Sequence, residues 1–249
     1  MILRGKFSPF ILLLFIYSCG SVSDEAMDEI PIDPTAQLME SVADAHGELG
    51  NYVFVFRENS YSFEITDSSY SYTKEVDTDT LLRKDLLTNE KFERFENGEL
   101  LNLSQEDSDR YAESLNSVIY FTCLPLNLSD PAVNRALKSN IDIKNITYDV
   151  MEVTFDEEGG GTDHDDIFYY WFNKETHQMD YMAYSYAVNG GGVRFRSAYN
   201  SRMIDGMRFQ DYINYGAPVG TPLDSLPILF EQNKLEELSS IESEEVRSF

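Results

Sequence analysis

The second half of the chain constrains the fold most. Runs 145–155, 167–172, 179–186, 193–201 and 207–215 follow one another, each rich in Tyr, Phe or β-branched residues. Between them lie turn formers: Asn173-Lys174-Glu175-Thr176, Asn189-Gly190-Gly191-Gly192 and Asp205-Gly206. Such side chains suit a pleated, half-buried surface, and strands joined by turns this short lie side by side, antiparallel. The first half adds runs at 52–57, 61–65, 70–76, 91–96 and 99–103. The last two flank Asn97-Gly98, the strongest short hairpin signal in the chain. About nine or ten sequential strands predict a mainly β (α+β) fold, a curved antiparallel sheet or half-open β-barrel with a few covering helices.

Helices are predicted at the breaks in this pattern. Asp33-Pro34 is a helix start, and Leu38, Val42 and Ala45 recur at helical spacing, which gives a helix over 35–47. His46 at its end suits the negative pole of the helix dipole. Ser104 is an N-cap for a helix over 105–118. The apolar run 119–124 fits either a helix or a buried strand. Ser129-Asp130-Pro131 opens a short helix of about 132–138, and the C-terminal region holds a short segment at 226–231 followed by an acidic tail.

The N-terminus reads as a signal. Arg4 and Lys6 precede an unbroken apolar run, 10–17, that ends at Ser18-Cys19-Gly20. As a helix that run spans roughly 12 Å, far short of the ~30 Å bilayer core, so it is a secretory h-region and not a membrane span. A small residue before a cysteine at this point resembles the lipobox of bacterial lipoproteins. The expected organisation is therefore a signal peptide (1–18), a lipidated Cys19 with a flexible acidic tether (19–34), and a single β-rich domain (35–249). Gly20 is not an inner-membrane retention residue, and Ser23-Asp24-Glu25 resembles the surface-export signals of Bacteroidota lipoproteins. The expected address is the outer membrane, facing either the periplasm or the surface. The second cysteine, Cys123, sits in the apolar stretch Val118-Ile119-Tyr120-Phe121-Thr122-Cys123, as a buried free thiol would. The alternative is a disulfide between Cys19 and Cys123.

Without residues 1–19 the chain keeps 17 basic and 44 acidic side chains, a formal net charge of −27. Nucleic-acid binding through phosphate neutralisation is excluded, and an anionic lipid surface would repel the chain unless it is anchored. The expected partners are a membrane, through the N-terminal lipid, and a lipid or amphipathic small molecule; the chain is expected to be a monomer.

Two clusters carry candidate chemistry. Asp163, His164, Asp165 and Asp166 follow three glycines. In a loop, Asp163, Asp165 and Asp166 could bind Ca²⁺ or Mg²⁺ weakly; the alternative is a solvated acidic loop. No other cofactor is expected, and no tight transition-metal site. The second cluster is basic. Arg194, Arg196, Arg202 and Arg208 are the only cations between Lys174 and Lys234. Arg194 and Arg196 share one face of a strand, and guanidinium groups take carboxylate or phosphate in bidentate fashion. If that face points inward, Arg194, Arg196 and Arg208 would bind an anionic head group, with Trp171 and Tyr170 lining the remainder. Val193 and Phe195 on the opposite face are more natural inward residues, which favours surface pairing for the arginines. No GxSxG elbow, HExxH, P-loop, CxxC pair or Rossmann glycine motif is present.

Three blocks carry a resemblance: 113–133, 159–173 and 181–215. Together they resemble a family of Bacteroidota lipoproteins of unknown function over residues 40–245. The order of strands and helices is similar to the LolA/LolB-like lipoprotein carriers, a half-open antiparallel barrel with helical lids; fold alone does not give function. The resulting expectation is a membrane-anchored, non-catalytic binding module with an apolar or amphipathic ligand in a barrel cavity. Two alternatives stay open: a structural or envelope-interaction lipoprotein with a filled core, and a metal-assisted hydrolase using 163–166.

Overall fold

The computed structural model describes residues 33–66, 68–130, 132–156, 166–187 and 190–249. The signal peptide, Cys19 and most of the tether lie outside the described residues, as do Asp163, His164 and Asp165.

Two antiparallel seven-stranded sheets carry the fold. In the first, β1 (Tyr52–Phe56), β2 (Asn59–Ile65), β3 (Tyr70–Thr78), β4 (Leu81–Thr88), β5 (Phe92–Glu96) and β6 (Glu99–Leu100) run as a meander. The second is a meander too: β7 (Val133–Ile143), β8 (Ile146–Phe155), β9 (Ile167–Asn173), β10 (Met179–Tyr186), β11 (Gly192–Ile204), β12 (Met207–Ala217) and β13 (Glu236–Ile241). The chain then returns to the first sheet, where β14 (Glu244–Ser248) pairs with β1. Among the described residues neither sheet closes on itself, so the architecture there is mostly antiparallel β with two curved sheets and no closed barrel. Among the described residues the α-helices are α1 (Pro34–His46), α2 (Gln105–Thr122) and α3 (Leu226–Glu231).

Local chemistry starts both long helices. The Asp33 carboxylate accepts from the Thr35 N–H at 2.9 Å, and Pro34 occupies the first turn. The Ser104 hydroxyl accepts from the Asp107 N–H at 3.1 Å, with Glu106 and Asp107 at the positive end of the dipole. The ambiguous 119–124 segment continues α2 to Thr122. Its run of Val118, Ile119, Tyr120 and Phe121 is wider than one helix face needs, because α2 is covered on two sides.

Strand alternation sorts the second sheet into two cores. On one face Phe168, Tyr170, Phe172 and Met182 pack beneath Leu38, Met39 and Val42 of α1. On the other, Trp171, Tyr181, Val193 and Phe195 pack beneath Leu223 and Leu226, at the start of α3. The first sheet has its own core, in which Phe54 and Phe63 meet Leu115 and Ile119 of α2. The long β11–β12 hairpin joins the units: Met207 and Phe209 enter the first sheet's core, and Tyr52 Oη donates to the carbonyls of Ile204 and Asp205. On the same face, Asp85 and Arg94 stand opposite each other on β4 and β5 in a bidentate pair, 2.6 and 2.7 Å, and the Arg94 guanidinium lies 3.5 Å from the Tyr111 ring centroid on α2.

Several local expectations give way to pairing. The expected helix over 132–138 is strand from Val133 on: Asp130 Oδ1 accepts the Ala132 N–H, an Asx-type turn, and β7 then pairs with β8. Strand β4 is hidden in the sequence by the charged Arg83-Lys84-Asp85. The acidic tail supplies β13 and β14, whose exposed side chains carry no hydrophobic pattern. His46 does not act as an exposed capping cation. It is fully buried, with Nδ1 on the Val42 carbonyl at 2.8 Å and Nε2 accepting from the Met179 N–H at 3.3 Å.

Candidate functional site

The space that side chains leave open lies between α2 and the α1-side face of the second sheet. A cavity of about 270 Å³ is walled by Phe121, Val118 and Leu124 on one side and Arg196, Arg208, Phe209, Gln210, Tyr212 and Asn214 on the other, with Phe56 and Arg57 reaching in from the first sheet. A second, of about 300 Å³, continues past Phe121 to Tyr120, Phe155, Phe168, Tyr184, Tyr186, Arg194 and Asp166. Ser117 and Phe121 line both. The two form a partly open groove beneath α2, each near the lower end of the size range of small-ligand sites.

Aromatic rings set the floor. Phe121 lies 5.5 Å from the Tyr184 ring and 6.5 Å from Phe168, and Phe168 stacks on Tyr184 at 5.3 Å. These rings come from α2, β9 and β10, and they meet because α2 is held over the first sheet by Leu115, Ile119 and the Arg94–Tyr111 contact.

The arginines point where the sequence pattern disfavoured them. Arg194 and Arg196 stand opposite Tyr184 and Met182 on β10, so both face α2, whereas Val193 and Phe195 pack toward α3. Around Arg194 and Arg196 both faces of β11 are covered, so an apolar set on one face did not decide the other. Arg196 is 8 % exposed; its Nη2 donates to Tyr184 Oη at 3.1 Å and its guanidinium sits 4.1 Å from the Phe121 centroid. Its Nε is buried without a hydrogen-bond partner, as is Asn214 Oδ1 nearby. Arg194 donates to Tyr186 Oη at 2.7 Å. Arg208 reaches the Ala45 carbonyl at the end of α1, 2.8 Å, and Ser201 Oγ, 3.0 Å. Among the described residues none of Arg57, Arg194, Arg196 and Arg208 has an ion-pair partner. Arg202 is different: it pairs with Asp211 at 3.2 Å and donates to the Ser243 carbonyl, tying β14 to the second sheet. Burial pushes the Tyr120 and Tyr212 hydroxyls up to about 12, so they stay neutral.

Other candidates separate. Trp171 is fully buried on the α3 side, across the sheet from the groove; one residue along a strand reverses the face. Tyr170 lies on the groove's side but is buried in the α1 core. Of the acidic loop only Asp166 is described; it is buried and lines the second cavity. Among the described residues no three of His, Cys, Asp and Glu gather around a common point. Cys123 is a buried free thiol whose pKa burial raises. Among the described residues no helix is long and apolar enough to cross a membrane. The sequence pattern missed Ser117, Phe121, Tyr184, Gln210, Tyr212, Asn214 and Arg57. The one signal available was the unbroken apolar stretch at the end of α2.

Solved structures match this chain at low identity. A LolA superfamily protein from Nitrosomonas europaea matches with a TM-score of 0.52 at 12 % identity, covering 88 % of this chain and 94 % of its own. An outer membrane lipoprotein-sorting protein domain from Vibrio parahaemolyticus matches at a TM-score of 0.39 and 6 % identity, over 85 % and 91 % of the two chains. A DUF1329 family protein from Desulfovibrio piger matches at 0.41 and 11 %, over 87 % and 94 %. The first of these supports a LolA-like fold. No curated protein sequence matches the chain. Residues 37–243 match the family of unknown function DUF6503, and the chain belongs to that family.

Proposed function

We propose that the protein is a non-catalytic, lipid-anchored binding module that holds an apolar or amphipathic small molecule in the groove beneath α2. The observation that carries the reading is the groove itself: Phe121, Tyr184, Phe168, Tyr212 and Leu124 present apolar surface to open space between a helix and a sheet. Concave, mainly apolar sites with a few polar groups are where small ligands bind, and the LolA-like fold is compatible with such a role. Cys19 would supply the anchor, with the outer membrane as the address. A calcium or magnesium ion on the 163–166 loop remains a proposal of weak binding only.

The test is titration with N-phenyl-1-naphthylamine, a neutral apolar dye. Its emission should rise and saturate near one equivalent. Ser117→Trp should weaken binding at least about tenfold, since Ser117 is an exposed α2 residue that lines both halves of the groove and supports no core. A flat titration in the native protein would remove the reading. It would favour a structural role, for which the filled core of Phe168, Tyr170 and Phe172 under α1 is the supporting observation.

A further inference from the structure

We infer that the groove is built for an amphiphile with an oxyanion head group, a carboxylate or phosphate, seated on Arg196 with Arg208 and Arg57 beside it. The inference rests on the binding role proposed above and specifies the ligand's chemistry.

Charge distribution is the first argument. The chain carries 44 acidic side chains against 19 basic ones, yet of the five ionisable Asp, Glu, Lys or Arg side chains lining the groove four are arginines. The cavity lined by Arg57, Arg196 and Arg208 has no acidic residue in its lining, and none of the three has an ion-pair partner among the described residues. Arg202, six residues from Arg196, is paired with Asp211. The exposed Arg135 and Arg247 also have no ion-pair partner among the described residues, so what sets Arg196 apart is that it is buried without a counter-charge.

The second argument is independent of the first. Arg196 is more than nine-tenths buried, lines the cavity, and keeps a buried Nε–H with no acceptor. Its Nη2 is engaged by the Tyr184 hydroxyl and its face by the Phe121 ring, and neither contact supplies a counter-charge. Burying a charge without a counter-charge is costly. A guanidinium's edge donates two parallel hydrogen bonds to a planar or tetrahedral oxyanion, and such a ligand would satisfy Nε. Phe121, Val118, Leu124 and Phe209 form the apolar part of the wall and suit an alkyl chain, and the remaining polar groups there, such as Gln210 and Asn214, are uncharged.

The experiment is competition against the bound neutral dye by decanoate, decyl phosphate, decanol and inorganic phosphate, in native protein and in Arg196→Gln. The expected result is that decanoate or decyl phosphate displaces the dye at least about tenfold more tightly than decanol, and that Arg196→Gln removes the advantage while decanol still binds. The better of the two anions identifies the head group. Equal displacement by decanol and decanoate overturns the inference and leaves the apolar binding role standing. Displacement by inorganic phosphate as strong as by decyl phosphate overturns it in favour of a free-anion site. An anion preference that survives in Arg196→Gln overturns the assignment to Arg196. No dye binding at all defeats the binding role itself. The competitor series in native protein decides the head-group question even if Arg196→Gln does not fold.

Discussion

His46 should make this protein acid-sensitive in a way that one substitution removes. The ring is fully buried between α1 and β10. Its partners define the tautomer: Nδ1–H donates to the Val42 carbonyl and Nε2 accepts the Met179 N–H. A proton on Nε2 would face another N–H. Burial is the main reason its pKa falls to about 4 from 6.5; the Val42 bond opposes this, and the charge of Arg208 adds to it. The unfolded chain therefore takes up a proton near pH 6.5 that the folded chain refuses until about pH 4. Stability from this site is complete above pH 6.5, declines as pH falls, and is lost through the folded pKa. The gap amounts to about 3 kcal/mol in total and about 2 kcal/mol at pH 5. His46→Gln keeps an amide donor and a carbonyl acceptor but does not titrate. Urea midpoints followed by circular dichroism at pH 7.5 and pH 5 should show the native chain losing about 2 kcal/mol more than His46→Gln. The acidic residues common to both chains cancel in that comparison. Parallel pH profiles, or a His46 resonance titrating above pH 6, would refute the argument.

Arg94→Met should cost about 3–5 kcal/mol by stranding the buried Asp85 carboxylate, and the double variant with Asp85→Leu should recover most of it. A double-mutant cycle in urea checks this, and strict additivity would count against it. Gly47→Ala should destabilise by at least about 2 kcal/mol, because Gly47 has φ +84° and an added Cβ would fall inside contact distance of the Gly206 carbonyl oxygen; an unchanged thermal midpoint would contradict the geometry. Cys19→Ala should abolish acyl labelling and release the protein from membranes, and continued membrane retention in that variant would dismiss the lipid anchor.

Much of the fold was legible because its information is local. Asp33-Pro34 and Ser104 mark helix starts by capping chemistry, and Asn97-Gly98 marks a hairpin by its tolerance of positive φ. The aromatic runs at 167–172 and 179–186 could only be strands with two buried faces. The sequence by itself therefore determined an antiparallel, helix-covered fold and the arginine pair on β11. Tertiary structure decided which face of β11 looks into the groove, since register and the placement of α2 and α3 assign faces, and both faces of that strand are covered around Arg194 and Arg196. It placed Trp171 across the sheet from Arg196, brought Arg57 beside residues about 140–150 positions away in the chain, and turned the acidic tail into strands. Backbone edges of β12 and β1, not side-chain pattern, recruit β13 and β14, because a sheet edge offers its hydrogen bonds to any extended chain that reaches it.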